Sequence, residues 1–388
     1  MSFQSLADRR LDRQRSPMHF PMIDVLRGFA AITVVVYHVI EHFHWASFPT
    51  SGPAVWFRTG GMGVDLFFVI SGFVIVLSAF SRVSQAKGLD FAISFASAPI
   101  ARIVPLHYLT CLVFLIFVQP AVIFDPAIWH QLLTHALFIH NFFLMTFGGV
   151  DGPNWSVAVE MQFYLMMLLI APWLIRADWR MVLAGGVAIA WIWRLGAFCL
   201  IQTDGKWGPF PLFVGISQLP GMLDEFTLGI LLARFVRSDR GERWLARSVG
   251  GFVLSAALAA VVIWLALVIY WRHAIFWNSG PMVVCFKTLL GLAWALLILA
   301  ACSVKAPLVV ALAAPLRYLG TISYGIYLWH LPVLLAVMQV TWVNGPTALP
   351  YVLTLTLILA AGSWHLFELP IMQRIQRSLG RRRVSHCC

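Results

Sequence analysis

About ten stretches of some twenty mostly apolar residues succeed one another along this chain, near 22–43, 62–80, 104–124, 155–175, 181–202, 211–233, 249–271, 281–302, 320–342 and 348–369. Each is long enough for a helix to cross the hydrocarbon core of a bilayer. Inside hydrocarbon the backbone finds no water, so a spanning segment must close its own hydrogen bonds, and a helix does so within one segment. The expected fold class is therefore all-α, a polytopic membrane protein with about ten transmembrane helices. Composition agrees. Of 388 residues, 11% are charged and 60% hydrophobic, where a soluble protein carries about 25% charged residues. Residues 128–147 are also apolar, and we read them as an outer re-entrant or surface segment. The expected division is a basic tail over 1–20, one transmembrane domain over 21–372 and a second basic tail over 373–388. Spans on this scale leave no room for a separate soluble domain, and no internal repeat or low-complexity linker is visible.

A net charge of +11 raises the question of a nucleic-acid partner, but the distribution of the charge argues against one. Arg9, Arg10, Arg13 and Arg15 precede the first span. Arg82, Lys87 and Arg102 follow the second, Arg176 and Arg180 the fourth, and Arg234, Arg237, Arg240, Arg243 and Arg247 the sixth. Lys305 and Arg317 follow the eighth, and Arg374, Arg377, Arg381, Arg382 and Arg383 end the chain. The other side holds Arg58, Lys206 and Arg272, and residues 103–175 contain no Lys or Arg. That alternation is the positive-inside pattern, which places both termini in the cytoplasm. The basic residues then set topology and attract membrane lipids rather than nucleic acid.

The N-terminal apolar run does not read as a cleaved signal peptide. It is long, contains Arg27 and is followed by Glu41 and His42 instead of a small-residue cleavage site. Cys111, Cys199, Cys285 and Cys302 sit singly in apolar segments, and Cys387 and Cys388 end the chain. This is neither a disulfide framework nor a zinc cluster.

Against that apolar background, ionisable residues inside spans stand out. Such groups are costly in hydrocarbon and normally face a bundle interior or a wet cavity. The stretch "LRGFAAITVVVYH" opens on Arg27 and closes on His38. Eleven residues of helix leave two side chains within about 20° of one face and about 16 Å apart along the axis. Arg27 falls near the cytoplasmic edge and His38 in the outer half. Asp65 lies near the outer end of span two, Glu160 about two turns below the outer end of span four, and His330 mid-span. One such residue is usually structural; several at compatible depth point to one hydrated site. A neutral imidazole beside a carboxylate can take a proton from a hydroxyl nucleophile. At the inner face, Arg102 starts span three with His107 a turn and a half further in. Arginines there can grip phosphates through forked hydrogen bonds, although plain topological anchoring would also place them so. Cations inside and a base further out suit a donor with a phosphorylated head and a long thin arm, such as an acyl coenzyme A.

The sequence resembles the acyltransferase-3 family of membrane O-acyltransferases over about residues 20–375. The resemblance is carried by Arg27 and His38 with ten residues between them, "DLFFVISGFVI" at 65–75, "RIVP" at 102–105 and "NWSVAVE" at 154–160. "DEFTLGILLAR" at 224–234, "ISYGIYLWHLP" at 322–332 and "FELP" at 367–370 complete the ordered set. The resemblance implies transfer of an acyl group, commonly acetyl, from cytoplasmic acyl-CoA to a hydroxyl of a surface or lipid-linked glycan such as O-antigen or exopolysaccharide. It maps the family's essential histidine onto His38, its paired arginine onto Arg27 and its basic residue of span three onto Arg102. One departure is "SAPIARI", where Ala98 and Pro99 stand in place of the additional basic residues many members carry. The hydrolase-like extracytoplasmic domain of some members is not expected here.

The expected mechanism has acetyl-CoA phosphates held by Arg27, Arg102 and His107, and His38 acting as general base with Glu160 or Asp65 in support. Trp155, Ser156, Tyr327 and His330 are the candidates to line the acceptor, with helix packing the simpler role for Tyr327. No metal is expected, and the expected location is the bacterial inner membrane. Two rivals remain open at this point. "HVIEH" at 38–42 has the spacing of a zinc hydrolase, with His38 and His42 as ligands and Glu41 as base. Polar midplane residues and the Pro- and Gly-interrupted "GPFPLFVGISQLPGMLDEF" also suit a transporter or flippase of a small or lipid-linked substrate. Finally, His130, His135 and His140, five residues apart, share no helix face and read as surface or interfacial residues.

Overall fold

The computed structural model describes residues 18–83, 88–203, 205–273 and 276–385. Arg9, Arg10, Arg13, Arg15, Lys87, Cys387 and Cys388 lie outside the described residues. The described residues are mostly helical and contain no strand. Its principal helices are α1 (Met22–His42), α2 (Gly63–Val83), α3 (Gly88–Arg102), α4 (Val104–Val113), α5 (Ile128–Ala136), α6 (Trp155–Leu174), α7 (Trp179–Leu200) and α8 (Phe210–Ile216). They continue as α9 (Leu223–Val236), α10 (Asp239–Ala246), α11 (Val249–Arg272), α12 (Gly280–Ser303), α13 (Pro307–Leu312), α14 (Ala314–Thr321), α15 (Ser323–Met338), α16 (Gly345–Ser363) and α17 (Leu369–Ser385).

Among the described residues, eight helical segments are long and apolar enough to cross a membrane, or nine if the bent pair α14–α15 counts as one span. The sequence suggested about ten. The difference lies at 211–233, where the chain makes two helices joined by a tight turn over Leu219–Met222 instead of one. Proline is the cause: Pro220 lacks the N–H that a continuing helix would need, and Gly221 beside it tolerates the turn. The interrupted character of this stretch was legible in its Pro and Gly content. The chain also bends by 66° between α14 and α15. Residues 128–147 form the short α5 and a series of turns.

The described chain divides into two compact units. The first contains residues up to Leu26, Asp65–Phe95 and Gln162–Arg317. Here α11 and α12 pack as a long pair, and α9 packs against α7 and α12. Phe226 of α9 is fully buried and stacks on Phe163, ring centroids 4.0 Å apart. Arg194 of α7 is also fully buried. It pairs with Asp224, donates to the Val284 carbonyl at 2.8 Å, and shares Asp224 with the Thr288 hydroxyl.

The second unit contains Arg27–Val64, Ala96–Met161 and the described residues from Tyr318 onward. Its core pairs α15 with α16 and sets α4 against α15. Pro99 inside α3 and Pro105 at the start of α4 mark the break between those helices. Tyr324 of α15 donates to the Ile103 carbonyl at this break, 2.8 Å away. Of the ten candidate site residues, all but Asp65 belong to this unit.

Candidate active site

α1 is unbroken, so the helical relation between Arg27 and His38 stands: one face, about 16 Å apart along the axis. Both side chains are partly exposed. The new element is the partner of His38. His330 of α15 is fully buried, and its Nε2 lies 3.0 Å from His38 Nδ1. His330 Nδ1 in turn faces the Tyr327 carbonyl of its own helix at 2.5 Å. A fully buried ring thus backs the ring of a residue that is itself only partly buried.

Tyr327 and Ser156, expected to line the acceptor, use their hydroxyls on each other instead. Their oxygens are 2.7 Å apart, and both also reach the Pro153 carbonyl, at 2.8 Å from Tyr327 and 3.2 Å from Ser156. These bonds fasten α15, which carries His330, to the start of α6. Trp155 is buried and stacks on Phe147 with centroids 5.3 Å apart, a packing role. Glu160 follows Ser156 by one helical turn and is partly exposed.

Arg102 ends α3 and lies within electrostatic reach of Glu368 in the "FELP" segment; Ser363 donates to that carboxylate at 3.1 Å. His107 takes no place at the rim. It is fully buried, packed 4.6 Å from the Phe138 ring, with Nε2 donating to the His135 carbonyl at 3.3 Å. His135 and His140 also depart from expectation. Both are buried and stack with centroids 4.1 Å apart, because the turn after α5 folds the chain back and brings together residues that share no helix face. His130 is exposed, as expected. Burial pushes the His140 imidazole down to about 3, and His135 is lowered for the same reason. Asp151, buried in the left-handed backbone region at φ 53°, has its carboxyl held well above the usual range by burial.

Asp65 stands in the other unit. There it is the counter-ion of Lys287, with Glu225 4.0 Å from the same ammonium. Within the second unit, His330 is the group beside His38. Lys287 and Arg194 escaped the reading of the sequence, since each is one cation diluted in an apolar window. The signal that could have found them is the carboxylates: Asp65, Asp224 and Glu225 each imply a buried partner. The interruption at 210–236 therefore carries Asp224 neutralised by Arg194.

The zinc spacing at 38–42 meets a different geometry. His42 Nδ1 donates to the His38 carbonyl at 2.9 Å, and Glu41 is exposed. Among the described residues, no three His, Cys, Asp or Glu side chains are arranged to hold a metal ion.

Many apolar helices define a multi-pass membrane protein, and its second unit sets His38 beside the fully buried His330. The family described as an acyltransferase domain matches residues 20–367, and the chain belongs to that acyltransferase-3 family. Three relatives sharpen the comparison. A protein of Bacillus subtilis (strain 168), YrhL, provisionally assigned as a peptidoglycan O-acetyltransferase, is 28% identical over 95% of this chain and 57% of its own length. The O-acetyltransferase OatA of Staphylococcus aureus (strain NCTC 8325 / PS 47) is 26% identical over 94% of this chain and 59% of its own. The peptidoglycan O-acetyltransferase OatA of Listeria monocytogenes is 25% identical over 92% and 56% respectively. The chain thus spans under two thirds of the length of these relatives. No solved structure matches it.

Proposed function

We propose that this chain moves an acetyl group from acetyl-CoA to a hydroxyl of a cell-envelope glycan, in a bacterial cytoplasmic membrane, with His38 as general base. The observation that carries the reading is the His38–His330 pair at 3.0 Å, which joins a fully buried imidazole to a partly buried histidine on the helix face that also bears Arg27. Arg27 and Arg102 hold the donor phosphates at the inner rim, Glu368 tempering the charge of Arg102. The pantetheine arm runs outward along α1 and sets the thioester beside His38; its length suits a span of about 16 Å. Glu160, one turn beyond Ser156, lines the approach of the acceptor. Relatives named for peptidoglycan favour a peptidoglycan acceptor over the O-antigen or exopolysaccharide suggested by the sequence.

The test is His38→Ala. The variant is expected to insert and accumulate normally yet transfer label from radioactive acetyl-CoA to glycan at least about 10²-fold more slowly, the usual contribution of a positioned base. Turnover equal to wild type would remove His38 from the chemistry.

A further inference from the structure

We infer that His330 is a positioning residue that fixes the tautomer of His38 and holds its imidazolium during transfer; this rests on the base role proposed above. The argument starts from the Tyr327 carbonyl. A carbonyl oxygen only accepts, so the nitrogen facing it at 2.5 Å, His330 Nδ1, carries a hydrogen. His330 is fully buried, where an unpaired charge on the ring would be costly. Its neutral ring therefore presents a bare lone pair at Nε2. That lone pair is 3.0 Å from His38 Nδ1, which must then be the donor.

The helix sets a further carbonyl, that of Val34, one turn before His38. At His42, His135 and His273 the carbonyl four residues earlier faces Nδ1, the ring nitrogen nearer the backbone. Val34 has the same sequence relation to His38. With its hydrogen fixed on Nδ1, His38 keeps an unprotonated Nε2, and this is the nitrogen a general base needs.

The step then balances. As the acceptor oxygen attacks the thioester carbon, its O–H bond breaks and the proton passes to His38 Nε2. The new C–O bond forms, the C–S bond breaks, and the leaving thiolate takes that proton from His38, which returns to its starting tautomer. Between these events the imidazolium keeps its Nδ1–H on the His330 lone pair. The bond is then charge-assisted, about twice as strong as a neutral one, so it stabilises the transition state more than the resting state. This is the orienting role that a buried carboxylate plays in a serine-hydrolase triad, performed by a neutral ring suited to a low-dielectric interior.

The experiment compares His330→Leu with His330→Gln in membranes, using an acyl thioester and glycan acceptor. Leu fills the space without an acceptor; Gln offers an amide oxygen at similar reach. Leu is expected to lower kcat by about 10–100-fold, the usual effect of losing such an orienting partner, with KM for the thioester unchanged; Gln is expected to recover most of kcat. Equal kcat in Leu and wild type, while His38→Ala is inactive, overturns the inference and leaves the base role intact. Full activity in His38→Ala overturns both. If the Leu variant fails to insert, nitrogen NMR of wild-type protein labelled at histidine decides: a protonated Nδ1 and bare Nε2 on His38 uphold the inference, and the reverse tautomer ends it.

Discussion

Lys287 shows how one residue constrains another in hydrocarbon. Its ammonium pairs with Asp65 and keeps Glu225 4.0 Å away. Removing one partner of a buried pair leaves a charge without compensation, at a cost of about 3–5 kcal/mol. We expect Asp65→Asn to lower stability by about 3 kcal/mol, the lower end of that range because Glu225 stays close. Thermal unfolding in detergent measures it, and Asp65→Asn combined with Lys287→Met should recover most of the loss. A stable Asp65→Asn variant would mean the pair is not what holds Lys287. Legibility at this scale was uneven. His38, Arg27 and His330 stood out because an ionisable group in an apolar run is conspicuous. That His38 and His330 would touch was not legible, since 292 residues separate them and neither helix encodes its neighbour.

At the scale of elements, the segment from α5 to the start of α6 was the poorest reading. Helical periodicity assigned His135 and His140 to different faces, but the chain turns between them, and periodicity says nothing across a turn. Burial of these rings has a pH consequence. An unfolded histidine gains its proton near 6.5, whereas His140 in place holds off protonation until about 3. Below pH 6.5 the unfolded chain therefore binds protons that the folded segment refuses, and stability falls as pH falls toward 3. Asp151 has the opposite sign: above the ordinary aspartate value the unfolded carboxyl ionises first, a penalty already present at neutral pH. Amide protection over 128–154, corrected for the intrinsic pH dependence of exchange, should fall between pH 7 and 5 in wild type and lose most of that dependence in His135→Phe with His140→Phe. Some of the family motifs also acquire a physical reason at this scale. Gly72 of α2 abuts the Phe226 carbonyl, and Gly229 of α9 abuts the Val69 carbonyl. A side chain at either position would push the two backbones apart, as small residues at helix contacts prevent in other membrane bundles.

Across the whole molecule, hydropathy located nearly every span, because the length of a crossing is set by the bilayer and shows in the sequence without tertiary knowledge. It overcounted where prolines interrupt 211–233. The alternation of basic residues adds a topology that we expect experiment to bear out. Alkaline phosphatase fused after Arg272 should be active, and fused after Lys305 inactive, since the helix Gly280–Ser303 separates them and the enzyme folds only outside the cytoplasm. Activity at both or neither position would contradict the positive-inside assignment.

The unit that holds the paired imidazoles is assembled from three separated stretches of chain, and this bears on biogenesis. A ribosome adds about 5–20 residues each second, so the 292 residues between His38 and His330 take about 15–60 s to translate. Throughout that interval the first helix sits in the bilayer with its ring awaiting a mate. Products released early by truncation would hold Arg27 and Arg102 yet lack the last partner, so on the proposed function translation itself keeps the nascent chain silent until His330 has been made.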